Sequence, residues 1–256
     1  MLNKVPEVTL VFWLIKSMAT TVGETAADYI NQTLKLGLVL TSLVMATLLL
    51  IALAAQILTR RYRPVIYWLV VVLISVVGTL LSDNLVDNLK VSLVVSSALF
   101  AGALAAVFVA WHMSEKTLSV HTIFTTRREI FYWAAILFTF SLGTSAGDLI
   151  SEQLGLGYAW SVALFLVLIA LVFAAWRFLK INAVLAFWVA YILTRPLGAS
   201  TGDLLSQPMK VGGLNLGTTW TSVIFLAAIA GMVVYETLKQ RPAGQVGGGP
   251  SASRAS

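Results

Sequence analysis

Polar and charged residues are sparse in this chain and gather in short breaks between long apolar runs. Eight such runs occur, at about 8–30, 34–58, 64–86, 90–112, 128–150, 157–178, 182–205 and 217–238. Each approaches or exceeds the roughly 20 residues that take a helix across the hydrocarbon of a bilayer. Backbone in hydrocarbon must satisfy its own hydrogen bonds, so the runs predict helices. A second pattern is laid over the first. Every other run carries a Trp, a Gly ten residues later and an Asp five after that: Trp13–Gly23–Asp28, Trp68–Gly78–Asp83, Trp133–Gly143–Asp148 and Trp188–Gly198–Asp203. An aromatic residue precedes each tryptophan: Phe12, Tyr67, Tyr132 and Phe187. The chain is one two-helix unit written four times.

The second helix of each unit has its own marker. Thr41, Ser96 and Ser161 each lie thirteen residues after the repeat Asp, whereas Thr221 lies eighteen after Asp203, so the fourth copy has an insertion within 207–217. The tryptophans are 55, 65 and 55 residues apart, which places ten extra residues in the middle connection. Paired helices make every copy enter the membrane in the same direction, as parallel repeats about an axis along the membrane normal. The predicted architecture is an all-α integral membrane protein of eight transmembrane helices, four parallel two-helix repeats in a pseudo-fourfold (2+2) arrangement. Its parts are a first half, 1–113, a cytoplasmic linker, 114–127, a second half, 128–241, and a disordered Gly-, Pro- and Ser-rich tail, 242–256.

Composition agrees with the pattern. The chain is 59% hydrophobic and 11% charged, with a mean hydropathy of +0.89, far from the roughly 25% charge of a soluble domain. The first run is too long for a signal-peptide core and carries the repeat pattern, so it is expected to be a span. Cysteine is absent, which excludes disulfides, thiolate metal sites and thiol nucleophiles. A net charge of +6 suggests no nucleic acid here, because the basic residues flank the apolar runs. Twelve of the 17 Lys and Arg residues (Lys4, Arg60, Arg61, Arg63, Lys116, Arg127, Arg128, Arg177, Lys180, Lys239, Arg241 and Arg254) fall on one side, against Lys35, Lys90 and Lys210 on the other. The positive-inside rule then puts both termini in the cytoplasm.

Four tandem two-helix repeats, each with a tryptophan, resemble the "repeat of unknown function" family of bacterial integral membrane proteins, over roughly residues 8 to 238. The resemblance implies this architecture and a bacterial inner-membrane location. It implies no activity.

The candidate chemistry lies on one helix face. Positions 0, +4, +7, +11 and +15 from each Trp fall within about 80° of one another at 100° per residue. That face carries Glu24 and Asp28 in the first copy, Ser75, Thr79 and Asp83 in the second, Thr144 and Asp148 in the third, and Arg195 and Asp203 in the fourth. Polar stripes on membrane helices face inward, because each group needs a partner. The glycines, with small residues four further on (Ala27, Ser82, Gly147, Gly202), form small-xxx-small faces that let backbones approach. The aspartates read either as helix ends facing water or as convergent ligands for a hard cation such as Mg²⁺, Ca²⁺ or Mn²⁺, with Thr41, Ser96, Ser161 and Thr221 as further oxygens. The tryptophans read as an interfacial aromatic belt or packing residues.

Three charges break the symmetry. Lys16 is near the inner interface and is expected to snorkel to it. Arg195 lies near mid-depth before Pro196, which removes a backbone donor and is expected to kink its helix. Glu24 is expected to pair with Arg195, as intramembrane charges do. His112 and His121 lie away from the carboxylates, and two histidines alone make a poor zinc site. No phosphate loop, zinc-protease motif or nucleophile elbow is present. The expected function is transport of a small solute, with a divalent cation such as manganese or magnesium as the leading case, proton coupling an option, and Glu24–Arg195 as gate. The rivals are an organic-solute transporter using Arg195 and a non-transporting scaffold. Enzyme chemistry, a bound cofactor and nucleic-acid binding are not expected; the partners are the lipid bilayer and the solute.

Overall fold

The computed structural model describes residues 3–33 and 35–239. The tail expected over 242–256 lies outside the described residues. Eight α-helices follow one another: α1 Leu10–Asp28, α2 Leu38–Leu58, α3 Pro64–Asp83, α4 Leu93–Glu115, α5 Thr126–Asp148, α6 Tyr158–Phe178, α7 Ala183–Ser206 and α8 Thr218–Lys239. No strand occurs among the described residues. Seven helices are long and apolar enough to cross a membrane, which makes this a membrane protein; α1, with Lys16, Glu24 and Asp28 in it, falls outside that set.

The helix starts are written locally. Side-chain oxygens of Thr9, Ser92, Thr125 and Asn182 accept from the first free backbone N–H groups of α1, α4, α5 and α7, a standard N-cap. Pro64 opens α3, where its missing N–H costs nothing. Gly37, Gly157 and Gly217 turn the chain into α2, α6 and α8 at φ of +75°, +77° and +79°, a region that side chains disfavour.

The odd-numbered helices form a closed ring, α1 against α3, α3 against α5, α5 against α7 and α7 against α1. The even-numbered helices pack outside it, α2 on α3, α4 on α5, α6 on α7 and α8 on α1. Each unit therefore leans its second helix on the first helix of the next unit, and α8 closes the circle. No seam sets the first two copies apart from the last two within the ring. Burial follows the layers: 67%, 61% and 50% of the apolar windows of α3, α5 and α7 are buried, against 22% or less for α2, α4, α6 and α8.

Two rows of side chains hold the ring, and both repeat fourfold. In the first, the residue seven after each Trp sits against the repeat glycine of the preceding helix. Ser75 meets Gly23, Phe140 meets Gly78, Arg195 meets Gly143 and Thr20 meets Gly198, and a methyl group on any of these glycines would overlap its neighbour. In the second, the aromatic residue before each Trp stacks on the Trp of the next copy. The centroid distances are 5.6 Å for Phe12–Trp68, 5.4 Å for Tyr67–Trp133, 6.3 Å for Tyr132–Trp188 and 5.7 Å for Phe187–Trp13. Such tilted aromatic pairs contribute roughly 0.5–1.5 kcal/mol each beyond area burial.

That second row is the packing role, one of the two readings the spacing allowed. Trp68, Trp133 and Trp188 are buried, and the ring uses them as cement between copies. Two of the outer-helix hydroxyls have protein partners: Ser96 shares a hydrogen bond with Ser145, which shares another with Ser82, linking α4, α5 and α3, and Thr221 donates to Gly217 C=O at the start of its own helix.

The middle connection is ordered. Val120 and Ile123 from it are buried, and the N-terminal segment runs against it, with Lys4 N–H donating to Ile123 C=O. Lys4 Nζ lies 2.7 Å from Glu129 and 2.9 Å from Ile57 C=O, and Gln56 donates to the other Glu129 oxygen at 3.1 Å.

Candidate functional site

Arg195 is fully buried and reaches across the centre of the ring. Its Nη2 has three oxygens in hydrogen-bonding range of its two hydrogens: Glu24 Oε2 of α1 at 3.0 Å, Thr144 Oγ1 of α5 at 2.7 Å and Thr79 Oγ1 of α3. Its Nη1 donates to Thr20 C=O at 3.3 Å, while Nε has no partner. Glu24, Thr79 and Thr144 are the residues eleven after the Trp in the first three copies; the fourth copy has Ala199 there. One nitrogen thus sits among oxygens from three different helices at a single depth. The expected Glu24–Arg195 pair is present, and Thr79 and Thr144 belong to the same cluster.

The sequence offers a reason for this convergence. Gly143 leaves space for the Arg195 stem, since a Cβ there would overlap it. Pro196 follows inside α7, which stays helical through it, and its ring lies against Gly147. Lacking an N–H, Pro196 leaves the carbonyl of Ile192 without its usual helical donor.

Lys16 does not snorkel. Its side chain is fully buried, and Nζ donates to Tyr191 C=O at 2.8 Å and to Thr194 Oγ1. The amine lies 4.3 Å from the Tyr191 ring centroid and 5.3 Å from that of Phe140, an arrangement in which ring faces attract a cation. Three residues past the Trp, Lys16 points into the ring, although chain distance alone suggested the interface. Among the described residues no carboxylate lies within ion-pair distance of it. The Arg195 guanidinium lies 5.9 Å from the same Phe140 ring. Further toward the start of the odd helices, Tyr191 carries a buried hydroxyl without a partner and Tyr67 is hydrogen-bonded to Tyr132. Sequence reasoning passed over Phe140 and Tyr191, whose signal was their place in rows +7 and +3 from the Trp.

The repeat aspartates lie one turn beyond Glu24 in the other direction. Asp203 is buried, and Asp28, Asp83 and Asp148 are half-buried. Asp28, Asp83 and Asp148 each end an α-helix, and the chain continues directly as a π turn, Tyr29–Thr33, Asn84–Asn88 and Leu149–Gln153. Such wide turns often mark functional positions. In the fourth copy α7 stays α-helical to Ser206, and the extra residues form a loop with a short 3₁₀ turn, Met209–Val211. Glu24 lies within electrostatic range of Asp83, Asp148 and Asp203. Among the described residues, no group of three or more Asp, Glu, His or Cys side chains is gathered closely enough to hold a metal ion.

The geometry is therefore a fourfold frame enclosing a single asymmetric cluster, and the frame is what comparison with known proteins detects. Four consecutive segments, 11–62, 66–117, 131–182 and 186–242, match the Repeat of Unknown Function (DUF347). The chain belongs to that family. Each segment begins within two residues of a repeat Trp and covers one inner helix and one outer helix, so the DUF347 unit coincides with the structural unit. No curated protein and no solved structure matches the chain.

Proposed function

We propose that this DUF347 protein is a multi-pass transporter that moves a small cation along the axis of its four-helix ring. The observation that carries the reading is the seat of Arg195. A guanidinium nitrogen, itself a cation, occupies a position lined by one carboxylate and two hydroxyls from three helices. Such a position fits an exchange between a tethered cation and a free one. Intramembrane ionisable groups are costly to hold and mark pathways by default.

In this reading Asp28, Asp83, Asp148 and Asp203 draw cations to the outer end of the axis. Glu24, Thr79 and Thr144 take over the cation when Arg195 swings away. A divalent ion such as Mn²⁺ or Mg²⁺ prefers an all-oxygen site and draws further carboxylate oxygens from the aspartates one turn out. All eight helices span the membrane, α1 included, because its charges face the ring. Both termini are cytoplasmic, a reading that the Lys and Arg balance supports, and the membrane is the bacterial inner membrane, a reading that rests on the family resemblance. Alternating access comes from rearrangement of the odd-numbered helices about the axis as the Glu24–Arg195 pair opens and re-forms.

A second reading has one observation behind it. Lys16 is a buried amine with no carboxylate within ion-pair distance among the described residues, and an organic solute with an anionic group would pair with it. Flux into proteoliposomes decides between them. Mn²⁺, Mg²⁺ or proton-driven cation flux lost in Glu24→Gln and Arg195→Met supports the cation reading. Flux of a small carboxylate lost in Lys16→Met supports the second. Absence of both, with the variants folded, removes transport.

A further inference from the structure

The corner where α2 turns into α3 carries a feature that the repeat does not need. An open surface hollow of about 540 Å³ lies there, lined by the apolar Ala55, Leu58 and Ile66, by Thr59, and by Arg60, Arg61 and Arg63. All three arginines are exposed. The four ion pairs among the described residues engage Lys4, Arg127, Arg128 and Arg195, but none of these three. Leu58 beside them is 82% exposed and Val65 59%, so the apolar wall continues onto the outer surface of the helices.

The other copies lack this arrangement. Eight, seven and five residues before the Trp, the first copy has Val5, Pro6 and Val8, the third Thr125, Thr126 and Arg128, and the fourth Lys180, Ile181 and Ala183. In the third copy, Arg128 is paired with Glu115 at 2.8 Å. Orientation in the membrane needs only a charge excess, which calls for neither the close spacing of Arg60, Arg61 and Arg63 nor the hollow they line. Three unpaired guanidinium groups around a hollow match a phosphate, since the planar fork binds its oxygens. The hollow lies at a helix end with an apolar wall above it, which matches the acyl chains attached to that phosphate.

We propose that this corner binds the headgroup of an anionic phospholipid, with its phosphate among Arg60, Arg61 and Arg63 and its acyl chains along Leu58 and Ile66. The proposal stands whatever the ring transports. Basic pockets between membrane helices hold anionic headgroups through the same charge complementarity.

The test uses the full-length protein in a neutral detergent, with bound lipid counted by native mass spectrometry during titration with phosphatidylglycerol or phosphatidylcholine. Wild type should retain phosphatidylglycerol and not phosphatidylcholine. Each Arg→Gln change should weaken retention about fivefold, and Arg60→Gln/Arg61→Gln/Arg63→Gln together on the order of 100-fold. The control Arg127→Gln/Lys180→Gln, on the same side and outside the cavity, should leave retention unchanged. Ala55→Trp fills the hollow without altering charge and should also abolish retention, which keeps the test valid if the triple variant fails to insert. Equal retention of the two lipids, or equal loss in the control, overturns the proposal. So does inorganic phosphate alone displacing the lipid at millimolar concentration, since free phosphate would then be the ligand.

Discussion

Replacing Glu24 with Gln should destabilise the protein far more than the loss of one side-chain charge does at a surface. The substitution keeps the shape and an acceptor oxygen but removes the negative charge 3.0 Å from Arg195 Nη2. Arg195 is fully buried and cannot reach water without repacking Gly143 and Phe140. For charge centres about 4 Å apart at an effective dielectric near 20, the lost attraction is about 4 kcal/mol. Breaking one partner of a buried pair costs a similar amount, about 3–5 kcal/mol. At about 2–4 °C per kcal/mol for a chain of this size, the unfolding midpoint should fall by about 8–16 °C. The assay is thermal unfolding in detergent by circular dichroism at fixed detergent and salt. Arg195→Met in the Glu24→Gln background removes the stranded charge and should recover most of the loss, because apolar replacements of buried ion pairs are often neutral. A Glu24→Gln protein within about 1 kcal/mol of wild type, or a double variant whose losses simply add, would refute the claim that the pair is buried and coupled.

Other expectations follow from the same contacts and are read by the same unfolding assay. Gly23→Ala, Gly78→Ala, Gly143→Ala and Gly198→Ala place a methyl into an occupied position and should each cost about 1–3 kcal/mol. Gly102→Ala and Gly231→Ala meet open space and should be neutral or stabilising by up to about 1 kcal/mol. Lys16→Met strands no carboxylate, so its midpoint should stay within about 1 kcal/mol of wild type; a large fall would reveal an anionic partner. Glu129→Gln should cost about 3 kcal/mol by leaving Lys4, 7% exposed, without its charged partner, and Lys4→Met in that background should restore the midpoint.

What was legible in the chain was what spacing encodes. Trp, Gly and Asp at constant intervals give the copies and their helical faces, and opposite charges at similar depth give the Glu24–Arg195 pair. The order of packing was not legible. Helices α2, α4, α6 and α8 are apolar nearly all round, so no periodicity says that each leans on the next copy and not on its own. The aromatic before each Trp was visible but ambiguous, because an interfacial belt and a ring of stacked pairs both put aromatics at that depth. Lys16 was misplaced for a similar reason. A long flexible side chain near a helix start can reach either way, and only the neighbouring Tyr191 and Phe140 decide. The π turns left no local signature beyond the residues that follow each Asp, and their absence from the fourth copy became visible only as an insertion.

A symmetric ring ordinarily presents four equal residues at each level, which suits a coaxial ligand bound equally by all four. Here the +7 level holds Thr20, Ser75, Phe140 and Arg195, and the +11 level holds Glu24, Thr79, Thr144 and Ala199. The backbone contacts at both levels remain equivalent, since each +7 residue still meets a glycine of the neighbouring helix. The side chains are complementary in size and charge across the axis. Small hydroxyl residues at two +7 positions leave room for the arginine to extend. Ala199, on the arginine's own helix, is the one +11 residue without a side-chain oxygen, and that oxygen would lie only four residues along the same helix. Divergence at these axis-facing positions, beside glycine contacts repeated four times, is the pattern expected if the frame supplies stability and the axis supplies the proposed pathway. Burying a guanidinium and an amine at the centre of the ring costs more than packed hydrocarbon would, and the proposed pathway accounts for that cost.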